Sequence, residues 1–127
     1  YRDCLDKIPD VFLCAPPMEY AIDSVIKLID SRKYEVYIAS TAPWGNVNSL
    51  SHKRIWIEKY FGDTLKKRLI LTHRKDFLMG DYLIYDRTKN GAGEFKGELL
   101  HFGTEIPRLE NCIRVFVVTI ECLPFII

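Results

Sequence analysis

Three places in the 127-residue sequence gather side chains that handle phosphoryl groups, and each lies at the end of an apolar run. Tyr-Glu-Val-Tyr-Ile-Ala at 34–39 stops at Ser40-Thr41. Arg-Leu-Ile-Leu at 68–71 leads through Thr72-His73 to Lys75. Tyr82-Leu-Ile-Tyr85 is followed by Asp86-Arg87 and then the turn Asn90-Gly91. Hydroxyls and free backbone amides after a strand hold phosphate oxygens, a lysine neutralises phosphoryl charge, and a carboxylate ligates Mg²⁺. Asp81 lies at the opposite end of the last run, roughly 16 Å from Asp86 at about 3.3 Å per residue, and reads as a turn residue. Taken singly, each group has a structural alternative: Ser40-Thr41 and Asp86 as turn formers, Lys75 as a solvated loop lysine. Their shared placement at strand ends, where open α/β sheets collect ligands, points to phosphoryl chemistry.

The elements that must position these groups are legible from spacing. The first dozen residues read as loop or short helix. Pro16-Pro17 opens a helix whose Ala21, Ile22, Val25, Ile26 and Ile29 share one face, with Glu19 and Asp23 early and Arg32-Lys33 after its end, as the helix dipole favours. The β-branched and aromatic run 34–39 is a strand, followed by a turn through Pro43-Trp44-Gly45-Asn46. A second helix spans Ser49–Phe61, with Trp56–Tyr60 and Ile57–Phe61 as i,i+4 pairs and Gly62 placed to stop it. Strands follow at 68–71, Tyr82–Tyr85 and 98–102, separated by glycine-bearing loops. The order helix, strand, helix, strand, strand, strand predicts an α/β fold with a mainly parallel sheet flanked by helices.

Composition excludes several classes. At 48% hydrophobic and 28% charged residues, the chain has the makings of one globular core. A net charge of +1 gives no footprint for a nucleic acid polymer or an anionic membrane, and Arg32-Lys33 and Lys66-Lys67-Arg68 read as solvated helix ends. No apolar run reaches the roughly 20 residues of a membrane span. Cys4, Cys14, Cys112 and Cys122 lack zinc-site spacing and read as reduced thiols of a cytoplasmic protein. Tyr1 in place of Met, with no leader before the body, predicts the later part of a longer reading frame.

The runs Ile38-Ala-Ser-Thr-Ala-Pro-Trp44, Trp56-Ile-Glu-Lys-Tyr-Phe-Gly62, Arg68-Leu-Ile-Leu-Thr-His73 with Lys75, and Gly80-Asp-Tyr-Leu-Ile-Tyr-Asp-Arg87 on to Gly103 resemble the 5'(3')-deoxyribonucleotidases of the haloacid dehalogenase superfamily, across residues 8–105. The resemblance implies a Rossmann-like fold and Mg²⁺-dependent hydrolysis of nucleoside monophosphates or other small phosphomonoesters through an aspartyl-phosphate. It implies that Ser40 is the phosphate-binding hydroxyl of the second motif; Ser40 and Lys75 are the expected catalytic residues, and Ser40, Thr41 and Lys75 the expected phosphate-binding ones. Lys75 is then the third-motif lysine, and Asp86 one of the paired fourth-motif carboxylates that hold Mg²⁺. Phe12 and Trp44 are candidates for lining a nucleobase pocket, with core packing as the alternative.

Two features depart from that pattern. The family's Asp-x-Asp, which supplies nucleophile and general acid, has no counterpart; Asp3 and Asp6 have the wrong spacing. Tyr85 stands where the first fourth-motif aspartate is expected, and a phenol of pKa about 10 is no hard-metal ligand near neutrality. The expectation is therefore a partial haloacid dehalogenase-like domain, residues 1–105, lacking the central nucleophile strand between those at 34–39 and Tyr82–Tyr85. Such a domain would be inactive alone; a non-catalytic phosphate-binding or interaction module is the alternative. Residues 106–127 form a divergent tail. Removing two adenines from one coding string for a family-type Lys-Phe-Pro-Asp-Trp-Lys segment regenerates Glu105-Ile-Pro-Arg-Leu-Glu-Asn-Cys-Ile113, so a frameshift is inferred. Residues 115–120 read as a strand by composition, expected to promote association or to lie loosely over the gap. The preferred nucleotide and the oligomeric state have no sequence signature here.

Overall fold

The computed structural model describes residues 9–17, 20–85, 90–101 and 114–117. Along the chain run α1 (Val11–Cys14), α2 (Ala21–Asp30), β1 (Glu35–Ser40), α3 (Ser49–Phe61), β2 (Leu69–Leu71), β3 (Tyr82–Tyr85), β4 (Glu98–His101) and β5 (Arg114–Val117). Tight helical turns at Lys75–Phe77 and Ala92–Glu94 lie in the loops flanking β3.

The five strands form one parallel sheet in the order β2-β1-β5-β3-β4. The mainly parallel α/β architecture expected from the element order is present. The gap expected between β1 and β3 is not. β5, from the tail, lies there with Val36 level with Val115 on one side and Leu83 level with Phe116 on the other. The reason is local: β1 and β3 each present a row of backbone donors and acceptors between apolar faces, and Val-Phe-Val is a segment with the β propensity to satisfy both. Residues 106–113 and 118–127 of the tail lie outside the described residues.

Alternation along the strands sorts the core into two layers. Val36 and Ile38 of β1 face α2 and α3, joining Val25, Trp56, Ile57, Phe61 and Leu65. Ala39 of β1 and Leu83 and Tyr85 of β3 face the other way, against Leu78, Ala92 and Phe95. Helices α2 and α3 thus cover one face, and among the described residues the other core layer is closed by the turns around β3. Tyr85 belongs to this second core layer.

α3 follows the spacing reading closely. It ends at Gly62, whose φ of 58° is a positive value that favours glycine and whose N–H closes on Glu58 O at 2.9 Å. The Trp56 and Tyr60 rings stand 4.5 Å apart between centroids. Trp56 Nε1 also donates to Ala15 O at 2.7 Å, tying the stretch after α1 to α3.

Candidate functional site

Because the strands are parallel, the carboxyl ends of β1, β2 and β3 share one edge of the sheet, and the strand order reverses across β5, where such sheets build ligand sites. The ladder extends one step past β2, with Thr72 N–H donating to Ser40 O at 2.8 Å. This brings Ser40, Thr41, Thr72 and Lys75 together.

Ser40 and Thr41 point to opposite sides, as period-two alternation requires. On one side Lys75 Nζ donates to Thr41 Oγ1 at 2.6 Å and to Thr72 O at 2.9 Å, while Thr41 Oγ1 donates to Thr72 O at 3.0 Å. Lys75 is fully buried. Its turn is anchored to the loop after β3 by a 2.6 Å bond from Lys75 N–H to Asn90 O. Gly91, at φ 80°, makes that anchorage possible, since a Cβ there would collide with the Asp76 carboxylate. Asp76 is in turn clamped by Arg74, whose Nε and Nη2 donate to its two oxygens at 2.9 and 2.6 Å. That pairing holds the Asp76 carboxyl below its usual range. Burial, followed by repulsion from Lys53, lowers Lys75 from 10.5 to about 8.

On the other side of Ser40 stands a second lysine. Lys53 Nζ donates to Ser40 Oγ at 2.6 Å and rests 4.5 Å above the Phe12 ring centroid. Sequence reasoning passes over Lys53, yet a signal exists. The buried stripe of α3 runs through Ser49, Lys53, Trp56, Ile57 and Phe61, so a lysine occupies a position where the helical period demands an apolar residue. Buried lysines are rare unless something specific holds them.

Phe12 is accordingly buried beneath a cation, whereas Trp44 is 91% exposed. The two do not share a pocket. Trp44 lines a groove of about 480 Å³ together with Pro43, Val47, Leu50, Leu71 and His73. Thr72 lines it too, and Thr72 O is the carbonyl that receives Lys75, so the groove adjoins the buried Lys75.

Asp86 lies outside the described residues. Among the described residues no three His, Cys, Asp or Glu side chains come together as a metal site. What converges at this edge is cationic and hydroxylic, suited to an oxyanion and not by itself to Mg²⁺.

Residues 6–116 match the family model for "5' nucleotidase, deoxy (Pyrimidine), cytosolic type C protein", a match that runs past Glu105 into β5. A "Putative 5'(3')-deoxyribonucleotidase" of Vibrio phage KVP40 is 49% identical over 105 residues, covering 83% of this chain and 61% of that protein. The "5'(3')-deoxyribonucleotidase, cytosolic type" of Homo sapiens is 30% identical over 91 residues, covering 67% of this chain and 45% of the human one. The chain spans less than two thirds of the length of either relative.

Proposed function

Because the chain belongs to the deoxy (pyrimidine) 5' nucleotidase family of cytosolic type C, we propose that its sheet edge binds the phosphate of a deoxyribonucleoside monophosphate, as the phosphate-handling part of a 5'(3')-deoxyribonucleotidase. The observation that carries this reading is the buried Lys75 ammonium, held by Thr41 and Thr72 at the carboxyl end of β1. A lysine is kept in so dry a place at a cost in solvation, and a phosphoryl dianion beside it offsets that cost. In this reading Ser40 donates its hydroxyl proton to a phosphoryl oxygen. Lys75 neutralises the charge of the transferring group, and Thr41 holds Lys75 in place. The Trp44 groove receives the nucleoside, with the indole stacking on the base.

Hydrolysis in such enzymes begins with attack of an aspartate on phosphorus, and water then cleaves the aspartyl-phosphate. No Asp-x-Asp occurs in the sequence, so these residues supply binding and charge stabilisation and leave the attacking carboxylate unprovided. A Mg²⁺ ion would contribute further charge neutralisation when bound. Asp86 would be one of its ligands and lies outside the described residues, among which no three His, Cys, Asp or Glu side chains gather. The haloacid dehalogenase fold is proposed on the same family relationship. A cytoplasmic location is proposed as well, consistent with the family's cytosolic type; among the described residues no helix is long and apolar enough to cross a membrane.

The absence of Asp-x-Asp favours one second reading, a phosphate-binding module without turnover. Titrating the chain with inorganic phosphate and with a deoxynucleoside monophosphate, each followed by ³¹P NMR and calorimetry, tests both. Saturable binding lost in Lys75→Met supports the phosphate site, and no binding at millimolar phosphate sinks it. Turnover separates enzyme from module.

A further inference from the structure

Resting on the phosphate-binding reading, we propose that Lys53 is a positioning residue of the cradle, which fixes the Ser40 hydroxyl as a hydrogen-bond donor toward a bound phosphate or phosphomonoester.

An ammonium only donates, so in the 2.6 Å contact between Lys53 Nζ and Ser40 Oγ the serine oxygen accepts. Ser40 Oγ makes no other hydrogen bond among the described residues, and its own proton is left to give. Thr41 differs. Its oxygen accepts from Lys75 while its proton goes to Thr72 O, so both of its roles are spent inside the protein. Of two adjacent hydroxyls, one is a fixed strut and the other a donor with a proton to offer.

Lys53 is itself held from behind. Its ammonium rests over the Phe12 face at 4.5 Å, and its side chain is buried in the stripe of α3 that packs on β1. The charge is therefore fixed in direction as well as in place. Its field reaches Lys75, where it contributes to the lowered affinity for a proton. An anion received by Ser40 and Lys75 relieves that repulsion, so the two lysines favour the bound state jointly.

The test uses the whole chain and inorganic phosphate as the probe, with Lys53→Met, Lys53→Arg, Ser40→Ala and the double variant Lys53→Met with Ser40→Ala. Lys53→Met should weaken phosphate binding about tenfold or more, a loss typical of a charge-assisted contact. Lys53→Arg, which keeps a donor over Phe12, should recover most of it. The double variant should bind little worse than Ser40→Ala alone, because both changes act through one hydroxyl. Titration of Lys75 by ¹³Cε NMR should show its pKa rising above about 8 in Lys53→Met. Unchanged phosphate binding in a folded Lys53→Met, or losses that multiply in the double variant, would overturn the role of Lys53 while leaving the phosphate site standing. Failure of the wild-type chain to bind phosphate would overturn both.

Discussion

Lys75 reaches back across the sheet edge to Thr41, Nζ to Oγ1 at 2.6 Å, so the turn after β2 is locked to the end of β1 through a fully buried cation. The lock is sensitive to pH. Burial and Lys53 lower Lys75 from 10.5 to about 8, so between these values the unfolded chain holds a proton that the folded chain has released. Where the unfolded state binds more protons, stability rises with pH. Thermal or urea unfolding should therefore show stability increasing through the window from about 8 to 10.5, and Lys75→Met should flatten that rise. Phosphate affinity should run the other way, falling above about pH 8 as the ammonium is lost. A wild-type stability profile that declines smoothly across the window would refute the assignment.

The second prediction is catalytic. With no Asp-x-Asp in the sequence, this chain should show no Mg²⁺-dependent hydrolysis of p-nitrophenyl phosphate or of deoxynucleoside monophosphates. Turnover abolished by EDTA and by Asp86→Ala would contradict this. Tyr85 offers a related test. It packs with Ala39, Leu83 and Phe95 in the second core layer. Tyr85→Asp, which introduces the carboxylate that the resemblance to the family implies there, should accordingly destabilise the fold by about 3 kcal/mol, since an apolar layer receives a group that needs water. A neutral effect on the urea midpoint would show that the position is free to hold a metal ligand.

Trp44 supplies a third prediction. Its side chain is almost fully exposed, so Trp44→Ala should leave the melting temperature and inorganic phosphate binding unchanged. A deoxynucleoside monophosphate should bind about tenfold more weakly, because base–aromatic stacking is worth about 1–3 kcal/mol. Equal affinity for the nucleotide in both proteins would remove Trp44 from the nucleoside groove.

How much of this was legible depended on whether a feature is local. α3 and its Gly62 stop, β1, β2, β3 and the Ser40, Thr41 and Lys75 cluster follow from periodicity and from what strands end in, because neighbouring residues dictate them. Lys53 escaped because its meaning is a contact between α3 and β1, thirteen residues apart in sequence. Phe12 is misplaced in a pocket for the same reason: its partner is the Lys53 ammonium, and no spacing within 8–17 announces that. The sheet order was the least legible feature. Composition identifies a strand in the tail, but the slot it enters is defined by two edges contributed by β1 and β3, far earlier in the chain.

That slot gives the last prediction. β1 and β3 do not pair with each other; among the described residues β5 alone bridges them, in parallel register on both sides. A strand hydrogen-bonded along both edges behaves as part of the fold and not as a loosely apposed tail, so damage to its backbone should be felt globally. Proline at position 115 removes a ladder donor and fixes φ where a central strand tolerates neither. Val115→Pro should therefore cost about 3 kcal/mol and lower the melting temperature by several degrees. A chain ending at residue 105 should lose its cooperative transition or associate through the two opened edges, visible by sedimentation. Replacing 106–127 with a family-type Phe-Pro-Asp-Trp segment removes the same strand and should be equally damaging. Melts and sedimentation profiles unaltered by all three changes would mean that β5 contributes nothing to the sheet, and that residues 114–117 are a passenger in a slot made for another strand.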